Sequence, residues 1–187
     1  GKMNKLIKNI LIVLSIFIIG CEDNQEIYDD IELNYAINLP IDENGYYHMT
    51  LGENWQSLQR LTASLESEHM NNRYPGERDL VETIKVYWES SHYWVMNDTL
   101  GYIVKRGLTD DMVYVNYDTV YVWGFEGESV PVVNGASYPV NSGGTSYEVN
   151  TMFAPVKSMV GDTVRVNTYY WDLNTNLIEK SIGIILE

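Results

Sequence analysis

The side chains that could do catalytic chemistry are few and scattered in this sequence. The histidines His48, His69 and His92 lie far apart and match no zinc-binding spacing. A serine adjoins a histidine only at Ser91-His92, and neighbouring side chains on an unbroken strand point to opposite faces. No Gly-x-Ser-x-Gly elbow and no Gly-rich phosphate loop occurs. We therefore predict a non-enzymatic protein with no catalytic triad, no histidine-bound metal and no cofactor.

Calcium bound in an acidic loop is the one metal that remains an alternative to this prediction. The acidic pairs Asp29-Asp30 and Asp110-Asp111 lack the Asp-x-Asp-x-Asp-Gly pattern of an EF-hand loop. Irregular calcium sites also occur in acidic extracellular domains. Loop calcium therefore stays an alternative to the prediction of no metal.

Aromatic side chains are the best candidates for binding. The chain has 15 Tyr and 5 Trp against only 3 Phe, and rings with a polar edge suit both half-buried sheet faces and binding surfaces. If residues 86–95 form one unbroken strand, Trp88 and Trp94 share a face and Tyr93 lies on the other. One of these two tryptophans is expected in the core. The predicted binding residues are Trp88, Trp94, Tyr93, Tyr121 and Trp123, with Tyr114 and Tyr117 extending a stacking platform for sugar rings. The alternative is that these rings only pack as cross-strand pairs.

The amino-terminal residues have the order of an export signal. Three lysines precede an apolar run at positions 10–19, and Gly20 then precedes Cys21, which is the only cysteine. A run of about ten apolar residues is too short to cross a bilayer, which needs roughly 20. The sequence Ile18-Ile19-Gly20-Cys21 resembles the lipobox of bacterial lipoproteins. An uncleaved anchor or a buried helix with a chance cysteine is the alternative.

The lipobox resemblance implies how the protein is held. In that family a lipid is attached to the cysteine thiol, the chain is cut before the cysteine, and the new amino terminus is acylated. Residues 1–20 would then be a helical signal peptide, Cys21 the lipidation site, and the membrane a partner of the mature protein. Acidic residues behind the cysteine resemble the surface-export signal of some Gram-negative lipoproteins. This favours a lipid anchor in the bacterial envelope, at the outer membrane or cell surface.

The net charge excludes electrostatic binding to negatively charged partners. The 187 residues include 12 Lys and Arg against 26 Asp and Glu, for a net charge of −14, and removal of residues 1–20 would make the balance more acidic. So acidic a chain has no electrostatic attraction for nucleic acid or for an anionic lipid surface. Without a second cysteine there is no disulfide framework, and the hydrophobic core must supply the stability.

The remaining residues predict an all-β domain. Residues 21–33 carry an excess of acids and are predicted to be a tether, with the domain covering 34–187. Strands are predicted where apolar and polar residues alternate between turn signals, and the segment 126–147 is predicted to be a long loop. Residues 53–68 fit a helix or a strand, and we favour a strand at 58–65. Three Asp-Thr pairs, at 98, 118 and 162, are interpreted as turns that begin strands.

Two passages resemble bacterial immunoglobulin-like domains. Residues 58–63 with 84–90 are similar to the early strands of that family, and residues 144–155 with 161–166 are similar to its closing strands. The resemblance covers about residues 58–172 and implies an antiparallel immunoglobulin-like β-sandwich. An aromatic insertion around residues 90–125 departs from the family pattern.

The sequence thus favours a membrane-anchored, non-enzymatic lipoprotein that works through protein contacts, in adhesion or envelope assembly. A carbohydrate-binding lipoprotein that uses an aromatic face is the first alternative. A secreted hydrolase, which needs an acid pair or a nucleophile to converge in space, is the second.

Overall fold

The computed structural model describes residues 31–66, 80–106, 111–117, 119–121, 127–133, 135–143, 146–172 and 175–187, with only the backbone of 80 and 119–121. These residues form strands joined by turns, with short 3-10 helices at Leu80–Thr83 and Lys157–Met159. The strands are β1 Glu32–Tyr35, β2 Tyr47–Met49, β3 Gln59–Glu66, β4 Val86–Ser90, β5 His92–Val95, β6 Asp98–Arg106, β7 Asp111–Asn116, β8 Thr119–Tyr121, β9 Ser129–Pro131, β10 Gly135–Ser137, β11 Val140–Gly143, β12 Ser146–Phe153, β13 Thr163–Trp171 and β14 Leu177–Leu186.

The strands assemble into three sheets. Sheet one has the order β1-β3-β12-β11, sheet two β10-β4-β13-β14-β2, and sheet three β8-β7-β6-β5-β9. All described pairings between strands are antiparallel except that of β14 with β2. The fold is therefore all-β with predominantly antiparallel sheets, as the sequence predicts.

Sheets one and two share one hydrophobic core. Alternate residues of β3 and β12 point towards alternate residues of β4, β13 and β14, so that each strand buries one face. Tyr35 on β1 reaches across the core: its ring lies 6.1 Å from that of Trp88, and its hydroxyl donates to Thr168 Oγ1 at 2.9 Å. Burial raises the pKa of Tyr35 to about 12, which keeps this donor protonated. These contacts join the two sheets face to face.

The chain changes sheet at Ser91. Strand β4 pairs with β13 in sheet two, whereas β5, which begins one residue after Ser91, pairs with β6 and β9 in sheet three. The Ser91 backbone serves both sheets, because its N–H donates to Arg165 O at 2.9 Å and its carbonyl accepts from Lys105 N at 2.8 Å. The alternation of inward and outward residues is therefore interrupted, and Ser90, Ser91 and His92 are all buried.

Most strand predictions are confirmed, but one predicted loop and one predicted domain boundary are wrong. Residues 59–66 form a strand, as favoured over a helix, and the Asn44-Gly45 turn is present, with Gly45 at a φ of 85°. The predicted loop at 126–147 instead contains β9, β10 and β11, whose three or four residues each are too short to give a clear alternation. The predicted tether at 21–33 ends too late, because Glu32 begins β1 and Leu33 is buried in the core. The signal segment lies outside the described residues.

Candidate functional site

The predicted aromatic residues whose side chains the structure describes do not form one surface. Trp88 is 1% exposed in the core between the sheets, so its prediction as a binding residue is wrong, and it is the core tryptophan expected of this pair. Trp94 is half-buried and packs against Trp55. Tyr93 lies on the opposite side of β5, where Lys105 Nζ sits 5.6 Å from its ring centre. The two tryptophans separate because the chain changes sheet between them.

Three predicted site residues lie outside the structural description. Cys21 and Trp123 fall in segments that the structure does not describe, and only the backbone of Tyr121 is described, at the end of β8. Lipidation of Cys21 and a platform through Trp123 therefore stay predictions.

A cleft with a volume of about 500 Å³ brings aromatic and charged side chains together, and we call it the Trp55 cleft. It lies where the loop before β3, strand β6, the turn after β7 and the segment between β12 and β13 meet. Its lining residues are Glu53, Trp55, Thr99, Leu100, Tyr102, Tyr117, Lys157, Ser158, Val160 and Asp162.

Two exposed aromatic rings, of Trp55 and Tyr117, line this cleft. Trp55 is 47% exposed, and its ring meets Trp94 edge-on at 5.7 Å, so one tryptophan supports the other. Tyr117 is 72% exposed and takes a positive φ of 47°, which places it at the turn that ends β7. Exposed apolar side chains of Leu100 and Val160 complete the lining. A ligand with an apolar face can pack against these groups.

Backbone hydrogen bonds hold Trp55 in place although it lies in a loop. Its carbonyl accepts from Lys157 N at 2.7 Å, and Ser57 N donates to Pro155 O at 3.0 Å. The side chain of Gln56 donates to Ala154 O at 3.1 Å. The loop before β3 is thus attached to the segment that follows β12, and the indole is presented from a fixed backbone.

The polar side of the cleft is centred on Asp162. Burial opposes ionisation of this carboxyl, but hydrogen bonds from His92 and Tyr102 outweigh burial and lower the pKa of Asp162 below its usual value. Lys157 Nζ lies 3.3 Å from Glu53 Oε2 at the exposed rim. The buried hydroxyl of Ser158 finds no hydrogen-bond partner within the described part of the chain. The cleft therefore offers an ionised carboxylate beside exposed rings.

A hydrogen-bonded chain of three side chains runs from the cleft into the protein. Ser91 Oγ lies 2.8 Å from His92 Nδ1, and His92 Nε2 lies 3.1 Å from Asp162 Oδ2. His92 is 3% exposed and stacks on Tyr102 with ring centres 5.9 Å apart. The prediction that Ser91 and His92 point apart is wrong, because it assumed one unbroken strand.

The contacts of Ser91, His92 and Asp162 are those of a structural network and not those of a catalytic triad. Ser91 Oγ also accepts the backbone N–H of Arg165 at 2.9 Å, so its oxygen is held between a donor and the imidazole, and the residue is buried. In a serine hydrolase the nucleophile must reach a substrate carbonyl beside an oxyanion hole. The Ser91 hydroxyl instead joins β4, β5 and β13.

Trp55 and Asp162 line the cleft, although the sequence predicts neither as a site residue. Trp55 lies in the segment 53–68, which fits a helix or a strand in sequence, and the structure places it in the loop before β3. Thr163 begins β13, as its Asp-Thr pair predicts. Of the Asp-Thr pairs, Asp98 does close a turn, since Oδ1 accepts from Leu100 N at 3.0 Å and Gly101 N at 2.9 Å. Asp162 resembles Asp98 in sequence, yet its carboxylate binds His92, which lies 70 positions earlier.

Other features are less suited to a ligand. On the outer face of sheet two, the ring centres of the stacked Tyr87 and Tyr169 lie 5.2 Å apart, and Trp171 contacts both rings edge-on. These three rings therefore pack against one another. Within the described ranges, no three His, Cys, Asp or Glu side chains are grouped to hold a metal ion. The same ranges contain no helix long and apolar enough to span a bilayer.

Comparison with known proteins shows only distant likenesses of shape. No protein-family model matches the chain, and no curated protein matches it. A DUF4466 family protein from Parabacteroides merdae aligns with a TM-score of 0.34 and 11% identity over 83% of this chain and 44% of that one. Spo0M, a sporulation control protein from Bacillus subtilis, aligns with a TM-score of 0.31 and 12% identity over 84% and 49%. The chain thus spans less than half the length of either structure, and likenesses this distant carry no argument about function.

Proposed function

We propose that this protein is a lipid-anchored, non-enzymatic binding protein that holds a sugar in the Trp55 cleft. The observation that carries the proposal is the pairing of exposed Trp55 and Tyr117 with the ionised carboxylate of Asp162 in one cleft. A sugar ring presents C–H groups that pack on an aromatic face and hydroxyls that donate to a carboxylate. The cleft supplies both kinds of contact.

The size of the cleft favours a sugar over a protein surface. Ligand sites for small molecules have volumes of about 300–1,000 Å³, and the Trp55 cleft holds about 500 Å³. A stable protein contact instead covers about 800 Å² on each partner and is centred on a broad patch. Protein contact in adhesion or envelope assembly, which the sequence favours, is therefore the competing outcome of the test below.

The electrostatics of the cleft support binding without hydrolysis. A glycosidase needs a carboxyl group whose pKa is raised so that it can protonate the leaving group. The pKa of Asp162 is lowered, and Glu53, the other carboxylate of the cleft, is exposed at the rim beside Lys157. Asp162 is therefore not prepared to act as a general acid.

The proposal also includes the lipid anchor at Cys21 and the immunoglobulin-like topology of the domain. A lipid on Cys21 would hold the domain at the outer membrane or cell surface, where glycans are met. The face-to-face packing of sheets one and two supports an immunoglobulin-like β-sandwich over about residues 32–187, to which sheet three is added through the Ser91 crossing.

A glycan panel tests the proposal with matched tryptophans. The full-length protein in detergent is offered to immobilised neutral and acidic oligosaccharides, together with its Trp55→Ala and Trp171→Ala variants. Trp55 and Trp171 are 47% and 49% exposed, so the two substitutions remove similar exposed surface. We expect at least one glycan to bind, with a loss of about tenfold or more in Trp55→Ala because truncating an anchoring tryptophan at the centre of a binding site costs about 2 kcal/mol or more. Trp171→Ala should bind like the parent.

Two results would overturn the sugar proposal. One is the absence of glycan binding over the whole panel by a folded protein. The other is an equal loss in both variants, which would show that binding does not depend on the cleft. Binding to a protein ligand that disappears only in Trp55→Ala would favour protein contact in its place.

A further inference from the structure

The outer face of sheet two carries an exposed apolar surface, which we call the aromatic patch and which consists of Tyr87, Tyr169, Trp171 and Leu177. In the register of the sheet, Tyr87 lies opposite Tyr169, and Trp171 lies opposite Leu177, so all four side chains share one face. Although the three rings pack against one another, Trp171 is 49% exposed and Leu177 is 50% exposed. The patch therefore presents apolar surface to its surroundings beside the hairpin that joins β13 and β14.

Charged groups border the patch but leave its hairpin end apolar. Lys85 is exposed beside the stacked tyrosines, with Nζ 5.4 Å from the nearer ring centre. The Glu89 carboxylate accepts the hydroxyl of Tyr169 at 3.0 Å. The Glu179 carboxylate accepts the amide of Asn167 at 3.3 Å, so both acids lie on the side away from the hairpin. Tryptophan, tyrosine and lysine beside an aliphatic side chain are typical of surfaces at the boundary between lipid headgroups and acyl chains.

The patch and the Trp55 cleft lie at opposite ends of the two packed sheets. Strand β13 begins directly after Asp162 of the cleft and ends at Trp171 of the patch. Its 9 residues correspond to roughly 30 Å at about 3.4 Å per residue. A surface that contacts the patch therefore leaves the cleft accessible at the other end.

The first strand begins at the patch end of the molecule. Strand β3 starts after the loop of Trp55 and ends at Glu66, and Glu66 is the register partner of Glu32, the first residue of β1. Strand β1 also contacts β14 close to the hairpin, because Lys180 Nζ donates to Leu33 O at 3.0 Å. The covalent connection from β1 towards Cys21 therefore starts at the end where the patch lies.

We propose that the aromatic patch contacts the headgroup region of the bilayer that carries the lipid of Cys21, an inference that rests on the lipid anchor of the proposed function. Glu32 follows Cys21 by 11 positions, and a chain of this length spans at most about 40 Å when fully extended. The anchor thus keeps the patch end of the domain within reach of the bilayer. Because the anchor makes this contact intramolecular, four side chains are enough without a high affinity of their own.

The charges of the molecule favour a zwitterionic lipid surface as the occupant. The chain has a net charge of −14, which opposes contact with anionic lipid and also contact with a second copy of the chain. Zwitterionic headgroups carry no net charge, so the rings and Leu177 can enter the interface through their apolar surface alone. In this orientation the Trp55 cleft faces away from the membrane, where a glycan can reach it.

Vesicles that contain a brominated lipid test this orientation, because bromine quenches tryptophan emission only at close range. The full-length lipidated protein is reconstituted into phosphatidylcholine vesicles with and without bromine on the acyl carbons near the headgroup. We expect bromine to lower the emission by up to about a fifth, since Trp171 is one of 5 tryptophans. Trp171→Phe should abolish this loss, whereas Trp55→Phe should keep it.

A matched pair of charged variants separates membrane contact from removal of the fluorescent ring. Leu177→Asp places a charge opposite Trp171 and should also abolish the effect of bromine. Met152→Asp, on the outer face of sheet one, should leave the effect unchanged. Leu177 and Met152 are 50% and 46% exposed, so neither substitution buries a charge in the core.

Flotation of the vesicles distinguishes failure of the anchor from failure of the patch. A parent protein that does not float with the vesicles would refute the anchor and the membrane contact that rests on it. A parent protein that floats, but whose emission is the same with and without bromine, would refute the membrane contact alone. Quenching that persists in Trp171→Phe and disappears in Trp55→Phe would also refute it, because the cleft end would then face the bilayer.

Discussion

At the scale of single residues, His48 is a titrating contact between two parts of the fold. Its Nδ1 lies 2.7 Å from Glu187 Oε1 and its Nε2 lies 3.2 Å from Asp42 Oδ2. The hydrogen bond with Glu187, followed by that with Asp42, raises the pKa of His48 above its usual value. The protonated imidazole therefore joins the loop before β2 to the residue that follows β14.

The sign of the pH effect follows from the raised pKa of His48. A group whose pKa is higher in the folded state stabilises the fold fully below its ordinary pKa, which is about 6.5. This stabilisation is lost as the pH rises through the higher, folded-state value. We expect the difference in urea midpoint between the parent and His48→Gln to be largest at about pH 5.5 and to shrink towards about pH 9. A constant difference over this range would contradict the protonated contact.

At the scale of elements, the crossing at Ser91 holds sheets two and three together. Its hydroxyl contacts His92 and the backbone of Arg165, so one side chain serves β5 and β13. In Ser91→Ala the part-buried Arg165 N–H and the buried His92 Nδ1 would both lose this partner. Leaving buried polar groups unsatisfied costs about 1–3 kcal/mol.

A matched pair of serine variants tests how much the Ser91 side chain stabilises the crossing. Ser91→Ala should lower the free energy of unfolding by about 1–3 kcal/mol in urea titrations. Ser181→Ala, which removes an exposed hydroxyl 2.9 Å from Asn167 Oδ1, should change it by less than about 0.5 kcal/mol. Equal effects from the two substitutions would show that the crossing does not depend on its side-chain network.

What could be predicted at this scale depended on local patterns. The alternation in β3 and β13 and the Asn44-Gly45 turn are visible in sequence because each is fixed by neighbours along the chain. The Ser91 crossing is not visible in sequence, since Ser91 binds Arg165, which is 74 positions away, and His92 binds Asp162, which is 70 positions away. The predicted shared face of Trp88 and Trp94 is wrong for the same reason, because it assumed one continuous strand from Trp88 to Trp94.

At the scale of the whole molecule, an all-β fold without a disulfide was predictable and the site was not. Turn signals and β-branched runs indicate strands, whereas Trp55, Tyr117 and Asp162 converge from segments separated by 45 to 107 residues. Long-range convergence of this kind leaves no local signal in a single sequence. Of the two rings, the sequence predicts Tyr117 as a platform residue, whereas Trp55 shows only within the excess of Tyr and Trp.

The proposed anchor makes its own prediction for the whole molecule. If Cys21 carries the lipid, Cys21→Ser should move the protein from the membrane fraction to the soluble or unprocessed fraction, because a chain without acyl groups has no such anchor. Mass spectrometry of the parent should find a diacylglyceryl-modified, acylated amino terminus at Cys21. Unchanged membrane fractionation of the variant would refute lipidation at this position.

The position of a bound sugar tests the central proposal most directly. Hydroxyl-radical footprinting compares the oxidation of exposed rings with and without the oligosaccharide that binds best. We expect protection of Trp55 and Tyr117 but not of Trp171 and Tyr138, which are also exposed but lie away from the cleft. Protection of Trp171 or Tyr138 in place of the cleft rings would contradict the proposal that the Trp55 cleft is the binding site.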